Sequence, residues 1–194
     1  MARRVAVRVV APAEVGDQLV AAMFRELVSV WKRCDVDVLS DAEGLEPQPM
    51  TTVTLILSSG WPPADAAGGL GWIHFVSNPA PTPAPVLMVS LAATRALVEA
   101  TDYRGTPVAQ RPLALRRELM ARALGRAAAH ELGHYLLASR EHAVRGLMRA
   151  RFRSDELVSD FGAGFRLEVP ERQKLATRLR DQRFLLAEET NGRR

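Results

Sequence analysis

The sequence predicts an α+β fold in one domain, with a mixed sheet, one long helix and a C-terminal helix. Three observations support this prediction. The chain has 194 residues, of which 47% are hydrophobic, and this suits a single domain with a sizeable core. Short segments with period-two alternation lie between residues 5 and 91 and predict strands. Long segments with helical spacing lie before residue 35 and after residue 111. The resulting order of elements is strand, helix, four strands, long helix, irregular turn and helix, which is typical of a sheet with helices packed against it.

The first elements are a strand, a helix and a second strand. Val5–Val10 alternates apolar and small or charged residues, which predicts a strand, and Pro12 ends it. Apolar residues at helical spacing predict an amphipathic helix over Glu14–Arg33. Asp35–Leu39 alternates charged and apolar residues and predicts a short strand. The acidic, proline-containing segment Ser40–Pro49 is predicted to be a surface loop.

Three further strands complete the predicted sheet. Thr52–Leu57 places its aliphatic residues on one face and is expected to lie centrally in the sheet. Trp72–Val76 predicts a strand that carries His74, and Val86–Leu91 predicts the last one. Between them, Asn78–Pro85 contains four prolines and is predicted to be a stiff extended connection.

The remaining elements are helical. Thr94–Ala100 predicts a helical turn or two, followed by a loop at Thr101–Arg111. Pro112 is well suited to the start of a helix, and the pattern continues to about Leu137. The buried face of this long helix is predicted from four residues at steps of four, namely Leu124, Ala128, Leu132 and Leu136. A last helix is expected over Pro170–Leu186.

Composition excludes several classes of protein. Cys34 is the one cysteine, so an internal disulfide and a cysteine-based zinc site are excluded, and its thiol is expected to be buried and inert. No membrane span and no export signal are readable, so a cytoplasmic protein is expected.

Residues 1–110 carry a net charge of −3 and residues 111–194 a net charge of +7. Because no aromatic residues alternate with the basic ones as a stacking surface, an arginine-rich solvated face is expected and nucleic-acid binding is not.

One short segment, residues 130–142, holds three of the four histidines of the chain. His130 and His134 are four residues apart on the predicted long helix, so both imidazoles lie on one face and can reach a single ion. Glu131 projects about 100° around the helix and is placed to act as a general base on a water at the metal. Gly133, inside the helix, predicts either the close approach of another piece of backbone or a glycine that is tolerated there without a function.

This pattern predicts a zinc-dependent metallopeptidase that hydrolyses peptide bonds by metal-activated water, with Glu131 as the base. Its partner would be a peptide or protein substrate. The alternative is a non-catalytic, zinc-stabilised binding module whose basic face contacts nucleic acid or an acidic protein. A structural zinc would be saturated by a fourth ligand and would leave Glu131 without a function.

The motif resembles that of the zincin peptidases and, within them, the metzincins, whose pattern is HExxHxxGxxH followed by a methionine-bearing turn. His130, Glu131 and His134 match its first part, and Gly146-Leu147-Met148 is similar to the turn. The family's glycine and third histidine would fall at Leu137 and Arg140, whereas this chain has His142 two residues further on.

The resemblance implies a single zincin-like domain with a twisted sheet in residues 1–138 and the third ligand, the turn and helical structure in residues 139–194. It implies that Zn²⁺ is held by His130, His134 and His142. The strand with His74 would then be the sheet edge beside the cleft, where a peptide can add as a further strand.

A second resemblance leaves the third ligand open. The segment Asp155–Asp160 is similar to the motif of the gluzincins, in which a glutamate about twenty residues after the second histidine binds the metal. This would make Glu156 the third ligand and Asp160 a carboxylate that orients a histidine. We favour His142, and we expect the helix to end near Ser139 so that the chain can return His142 to the ion.

A few residues outside the motif also carry expectations. His74 is predicted to be a satisfied, half-buried histidine. The three tryptophans, Trp31, Trp61 and Trp72, are predicted to serve packing, and Trp72 is also a candidate for the pocket. The arginines between Arg140 and Arg153 are predicted to form a solvated face, which beside a metal cleft could bind acidic groups.

Overall fold

The computed structural model describes residues 3–41, 51–64, 68–77 and 81–191. Residues 42–49 of the predicted surface loop and residues 78–80 of the predicted connection lie outside these ranges. The strands are β1 Arg3–Val10, β2 Val36–Ser40, β3 Thr51–Ser58, β4 Gly71–Ser77, β5 Pro81–Ser90, β6 Asp102–Tyr103 and β7 Thr106–Pro107. The helices are α1 Asp17–Lys32, α2 Leu91–Glu99, α3 Leu113–Leu137, α4 Ser154–Val158 and α5 Val169–Asn191.

The main sheet has five strands in the order β2-β1-β3-β5-β4. The pairs β1–β2, β1–β3 and β3–β5 are parallel, and β4 runs antiparallel to β5 along one edge. The predicted central place of β3 is confirmed. The predicted fold class, an α+β domain with a mixed twisted sheet, a long helix and a C-terminal helix, is confirmed as well.

The proline-rich connection was predicted wrongly in part, because residues 81–85 belong to β5. Pairing explains how a strand accepts these prolines. β3 pairs with β5 only from Val86 onward, while Pro81 and Pro83 face β4 alone. A proline without an N–H is tolerated where a strand has a neighbour on one side only.

Helix α3 is the centre of the domain. It packs against α1, α2, α4 and α5 and against strands β4 and β5. A Cβ at Gly125 would lie 2.6 Å from the carbonyl oxygen of Met23, so the missing side chain lets α1 approach α3 closely. The sheet contributes alternate buried residues such as Val53, Leu55 and Leu57. The core therefore lies between the sheet and the pair α1 and α3.

A buried arginine joins the C-terminal segment to α3. Arg126 is 2% exposed, and its Nε donates to Glu26 of α1 at 2.7 Å. Its Nη1 donates to the carbonyl oxygen of Glu156 at 2.6 Å, and the guanidinium carbon lies 4.5 Å from the centroid of the Phe165 ring. Because Arg126 precedes His130 by one turn, these contacts hold the segment after α3 beside the histidines.

Several local predictions need correction. Helix α2 begins at Leu91, three residues earlier than predicted, because the Ser90 hydroxyl accepts a hydrogen bond from the Ala93 N–H and caps the helix. The predicted loop Thr101–Arg111 contains the small β6–β7 ladder, and α4 was not predicted. Trp61 is 66% exposed and does not serve packing, whereas Trp31 is fully buried as expected.

Two expectations drawn from composition can be compared with the structure. Cys34 is buried, and burial raises the pKa of its thiol, which agrees with an inert cysteine. No described helix combines the length and the apolar composition needed to cross a membrane.

Candidate metal centre

Helix α3 brings His130 and His134 together on one face. Their Nε2 atoms are 3.0 Å apart, and their ring centroids are separated by 4.7 Å. The helix around them is buried, with alanine and glycine at many positions, so both rings are held by close packing. The two imidazoles therefore lie together on one face of the helix, as predicted.

The outer nitrogen of each ring contacts a backbone carbonyl oxygen. His130 Nδ1 is 2.7 Å from the Leu147 oxygen, and His134 Nδ1 is 2.7 Å from the Ser139 oxygen. Since a carbonyl oxygen only accepts, each Nδ1 carries the ring hydrogen and each Nε2 presents a lone pair. Metal-binding histidines in proteins characteristically donate their other N–H in this way.

Burial also keeps the two rings uncharged. It lowers the pKa of His130 to about 3, with the neighbouring His134 as a further cause. It lowers the pKa of His134 to about 4. At neutral pH both imidazoles are therefore uncharged, each with its hydrogen on Nδ1, and the two Nε2 lone pairs face each other across 3.0 Å. Two lone pairs repel at this distance, so a cation between them is the natural complement.

His142 completes a group of three. Its ring stacks on His130 with centroids 5.3 Å apart and meets His134 edge-on at 4.9 Å. One ligand atom from each of the three histidines lies within 4.8 Å of the others. His142 is more exposed than the other two, and burial lowers the pKa of its imidazole as well. The sequence predicted this cluster.

The end of α3 sets the path to His142. The helix ends at Leu137, and Ala138 follows in the left-handed conformation with φ 43°. The Ser139 N–H then donates to the His134 carbonyl oxygen at 3.2 Å, which closes the helix end. The helix thus ends two residues before the predicted end near Ser139. The left-handed residue turns the chain back, so that His142 lies beside the other two histidines.

The methionine-bearing turn lies beneath the histidines. Gly146 has φ 76°, and a Cβ there would lie 2.5 Å from the Arg166 carbonyl oxygen, so this turn requires glycine. The Leu147 N–H donates to that same oxygen at 2.7 Å, while the Leu147 carbonyl oxygen accepts from His130. The backbone of the turn thus fixes the orientation of one ring of the cluster.

Gly133 was predicted to face another piece of backbone, and this detail is wrong. The neighbour is the side chain of Met148, whose sulfur occupies the space that a Cβ at Gly133 would need. Met148 is 2% exposed. The glycine therefore serves the contact between α3 and the turn below the histidines.

Glu131 lies beside the cluster and is 6% exposed. Burial raises the pKa of its carboxyl to about 8. Its side chain packs against Gly71 on the edge strand β4, where an added Cβ would lie 2.7 Å from Glu131 Cγ. Gly71 was not singled out in the sequence, because a glycine at the start of a strand carries no signal of what it faces.

A cleft of about 700 Å³ opens over these residues. Its lining includes the three histidines and Glu131, residues 68–73 and Phe75 of the edge-strand region, and residues 150–152. The predicted edge position of the strand with His74 beside the cleft is confirmed. His74 itself is exposed and not half-buried as predicted. Trp72 lines the cleft, in agreement with its predicted role as a pocket candidate.

Glu156 and Asp160 lie in other interactions. The Glu156 carboxylate accepts from Arg149 at 2.9 Å and from the Arg153 N–H at 2.9 Å, which caps α4. Asp160 pairs with Arg122 at 2.8 Å and accepts from the Tyr103 hydroxyl at 2.8 Å. Among the described residues, the candidate metal group contains His142 and not Glu156.

Phe152 is a site residue that the sequence did not reveal. Its ring meets His130 edge-on at 5.8 Å and stacks on Phe165 at 5.0 Å. The one available signal was an aromatic residue inside a run of arginines. Phe152 forms part of the cleft wall next to the first histidine.

Comparisons with known proteins agree with this architecture. No protein-family model matches the chain. No curated protein matches it. Among solved structures, it is similar to the crystal structure of archaemetzincin from Methanopyrus kandleri, with a TM-score of 0.51 and 14% identity. The match covers 92% of this chain and 96% of that one. At this identity the likeness concerns the fold.

Proposed function

We propose that the protein is a zinc-dependent metallopeptidase, in which His130, His134 and His142 hold the metal and Glu131 is the general base. The observation that carries the proposal is the pair of Nε2 lone pairs 3.0 Å apart, each fixed by an Nδ1–H donated to a carbonyl oxygen. This arrangement suits a cation, because metal-binding histidines characteristically donate their other ring N–H in this way.

The donor set fits zinc. Three neutral imidazoles are a ligand set of catalytic zinc sites, which use three protein ligands and leave one position open. Nitrogen ligands of a tetrahedral zinc lie roughly 3.3 Å apart, and the His130–His134 distance of 3.0 Å is close to that value. Bound zinc would supply a Lewis acid that polarises a peptide carbonyl and makes an attacking water acidic.

Glu131 fits the role of the base through its surroundings. In the metal-free protein burial raises the pKa of this carboxyl to about 8, so it holds a proton at neutral pH. The positive charge of a bound zinc ion would lower that pKa and leave a carboxylate that can take a proton from water and return it to the leaving amine. Its contact with Gly71 places it directly beside the edge strand β4. An extended peptide that pairs with this edge would pass over Glu131 and the histidines.

The alternative, a zinc-stabilised binding module, accounts for fewer of these features. A structural zinc site is closed by four protein ligands, whereas the described group has three. Such a module would also bury the Glu131 carboxylate beside the cleft without using it. The fold it shares with a protein named archaemetzincin adds support to the peptidase, since the motif itself resembles that of metzincins.

The test is metal analysis combined with peptide hydrolysis. We expect one zinc per chain, activity that a chelator abolishes and zinc restores, and cleavage of a mixed peptide library detected by mass spectrometry. The variant Glu131→Gln should keep its zinc and lose activity by about 10²-fold or more. Glu141→Gln is the matched control, because Glu141 is exposed outside the cleft lining. Zinc-free protein, or normal turnover in Glu131→Gln, would contradict the proposal.

A further inference from the structure

The charged residues that line the cleft are distributed unevenly. Glu131 is the one carboxylate among the described lining residues, and it lies buried beside the histidines. Two arginines, Arg140 and Arg151, line the same cleft and are exposed. The exposed charges of the described lining are therefore both positive, and exposed charges of one sign beside low-dielectric walls concentrate their field on whatever enters the cleft.

Arg140 is held in place over the edge strand. Its Nη2 donates to the Phe75 carbonyl oxygen at 3.3 Å, and its guanidinium carbon lies 4.8 Å from the Phe75 ring centroid. Among the described residues no carboxylate pairs with Arg140. A guanidinium fixed in this way loses less freedom when it binds an anion than a mobile side chain would.

Arg151 differs from the arginines on both sides of it. Arg149 pairs with Glu156 at 2.9 Å, and Arg153 pairs with Asp155 at 3.0 Å. In the described part of the chain Arg151 has no such partner, and it is the one of the three that lines the cleft. Of these three arginines, the one without a carboxylate partner is therefore the one that lines the cleft.

We propose that the cleft selects acidic peptides, with Arg140 and Arg151 binding aspartate or glutamate side chains on a strand laid along β4. As a substrate preference, this inference rests on the proposed peptidase function. A peptide fits better than a nucleic acid because the cleft borders β4, which has no further strand on its outer side in the described part of the chain. Two of the three aromatic rings in the described lining are also occupied, since Arg140 covers Phe75 while Phe152 stacks on Phe165. No free ring is therefore offered by these two residues for stacking of bases.

The experiment measures binding separately from cleavage. Zinc-loaded Glu131→Gln protein is titrated with a fluorescent peptide that contains two acidic residues and with its Asn/Gln isostere. We expect the acidic peptide to bind about tenfold more tightly, with the difference shrinking at high salt. In the Glu131→Gln protein, a further substitution, either Arg140→Gln or Arg151→Gln, should reduce the preference for the acidic peptide about threefold. Arg25→Gln removes the same charge from the exposed surface of α1 and should leave it unchanged.

The outcomes separate this inference from the proposed function. Equal binding of the two peptides, or a preference that survives both cleft substitutions, overturns the inference. Stronger competition by a single-stranded oligonucleotide of equal charge overturns it in favour of nucleic acid. Acidic preference in binding, together with a wild-type protein that cleaves no peptide, supports the inference and contradicts the peptidase. Peptide cleavage by the wild-type protein, without acidic preference in binding, contradicts the inference and supports the peptidase.

Discussion

Replacing Glu131 with glutamine should stabilise the metal-free protein at alkaline pH. Glu131 is 6% exposed, and no hydrogen bond or ion pair to its carboxylate is found among the described residues. Burial alone raises its pKa from 4.5 to about 8. Glutamine has nearly the same shape and carries no charge, so it removes the cost of burying a carboxylate.

The size and the sign of the effect follow from the two pKa values. Because the folded protein retains the proton to a higher pH than the unfolded chain, stability is full below about pH 4.5 and is lost as the pH rises to 8. At about 1.4 kcal/mol per pH unit between 4.5 and about 8, the loss amounts to about 5 kcal/mol at most. For a chain of this length that corresponds to a difference of roughly 10 °C in Tm.

The assay is thermal or urea unfolding of chelator-treated wild-type and Glu131→Gln proteins between pH 5 and pH 9. His130 and His134 have lowered pKa values, so they reduce stability as the pH falls below 6.5, in the opposite direction. Both proteins share these histidines, and the difference between the two curves isolates Glu131. Parallel curves, with no gap opening above pH 6, would refute the assignment of a buried, unpaired carboxylate.

Four further outcomes are expected. His142→Ala should weaken zinc binding by about 100-fold or more while Glu156→Ala barely changes it, and competition with a chromogenic chelator measures both; the reverse order would transfer the third-ligand role to Glu156. Gly133→Ala should reduce the free energy of unfolding by about 1 to 3 kcal/mol in urea, because its Cβ needs the space of the Met148 sulfur. Ala138→Gly should raise that free energy by about 0.5 to 1 kcal/mol, and a loss would contradict the strained helix end. Zinc should remain bound at pH 6 by equilibrium dialysis, because burial lowers the pKa of the cluster histidines.

The parts of the fold that were predictable are those in which the local pattern and burial agree. β3 alternates buried and partly exposed residues, so its period of two is visible in the sequence, and its central place follows. Helix α3 ends at Leu137, where the regular spacing of apolar residues also ends. β3 buries one face, and α3 is buried on nearly every side from Leu119 to Leu137, so both need a continuous series of apolar or small side chains that the sequence shows.

The parts that were missed depend on neighbours distant in sequence. β5 accepts Pro81 and Pro83 because its ladder with β3 begins only at Val86, and no local pattern contains this fact. Helix α4 has only five residues and is held by the buried Arg126, whose Nη1 bonds two of its carbonyl oxygens. An element this short has too few residues to show a period.

The candidate site also has a part that was predicted from the sequence and a part that was not. The residues that offer imidazole or carboxylate groups were visible, because few side chains can bind a metal and three of them cluster in the sequence. The groups that orient them were not visible, since they are the backbone oxygens of Leu147 and Ser139 and the position of Gly71, where the missing side chain leaves room for Glu131. Backbone groups are the same at every position, so the sequence cannot distinguish them.

The shifted third histidine can be understood from the end of α3. A metzincin motif has glycine three residues after its second histidine, the position that Leu137 holds here, and glycine readily adopts the left-handed conformation that ends a helix. In this chain the left-handed residue comes one position later, at Ala138, with φ 43°. The helix is therefore longer, and the chain needs further residues to return to the same face. His142, two residues beyond the motif's third histidine, lies where this longer path meets His130 and His134. The helix end at Ala138 and the position of His142 are thus two parts of one turn of the chain.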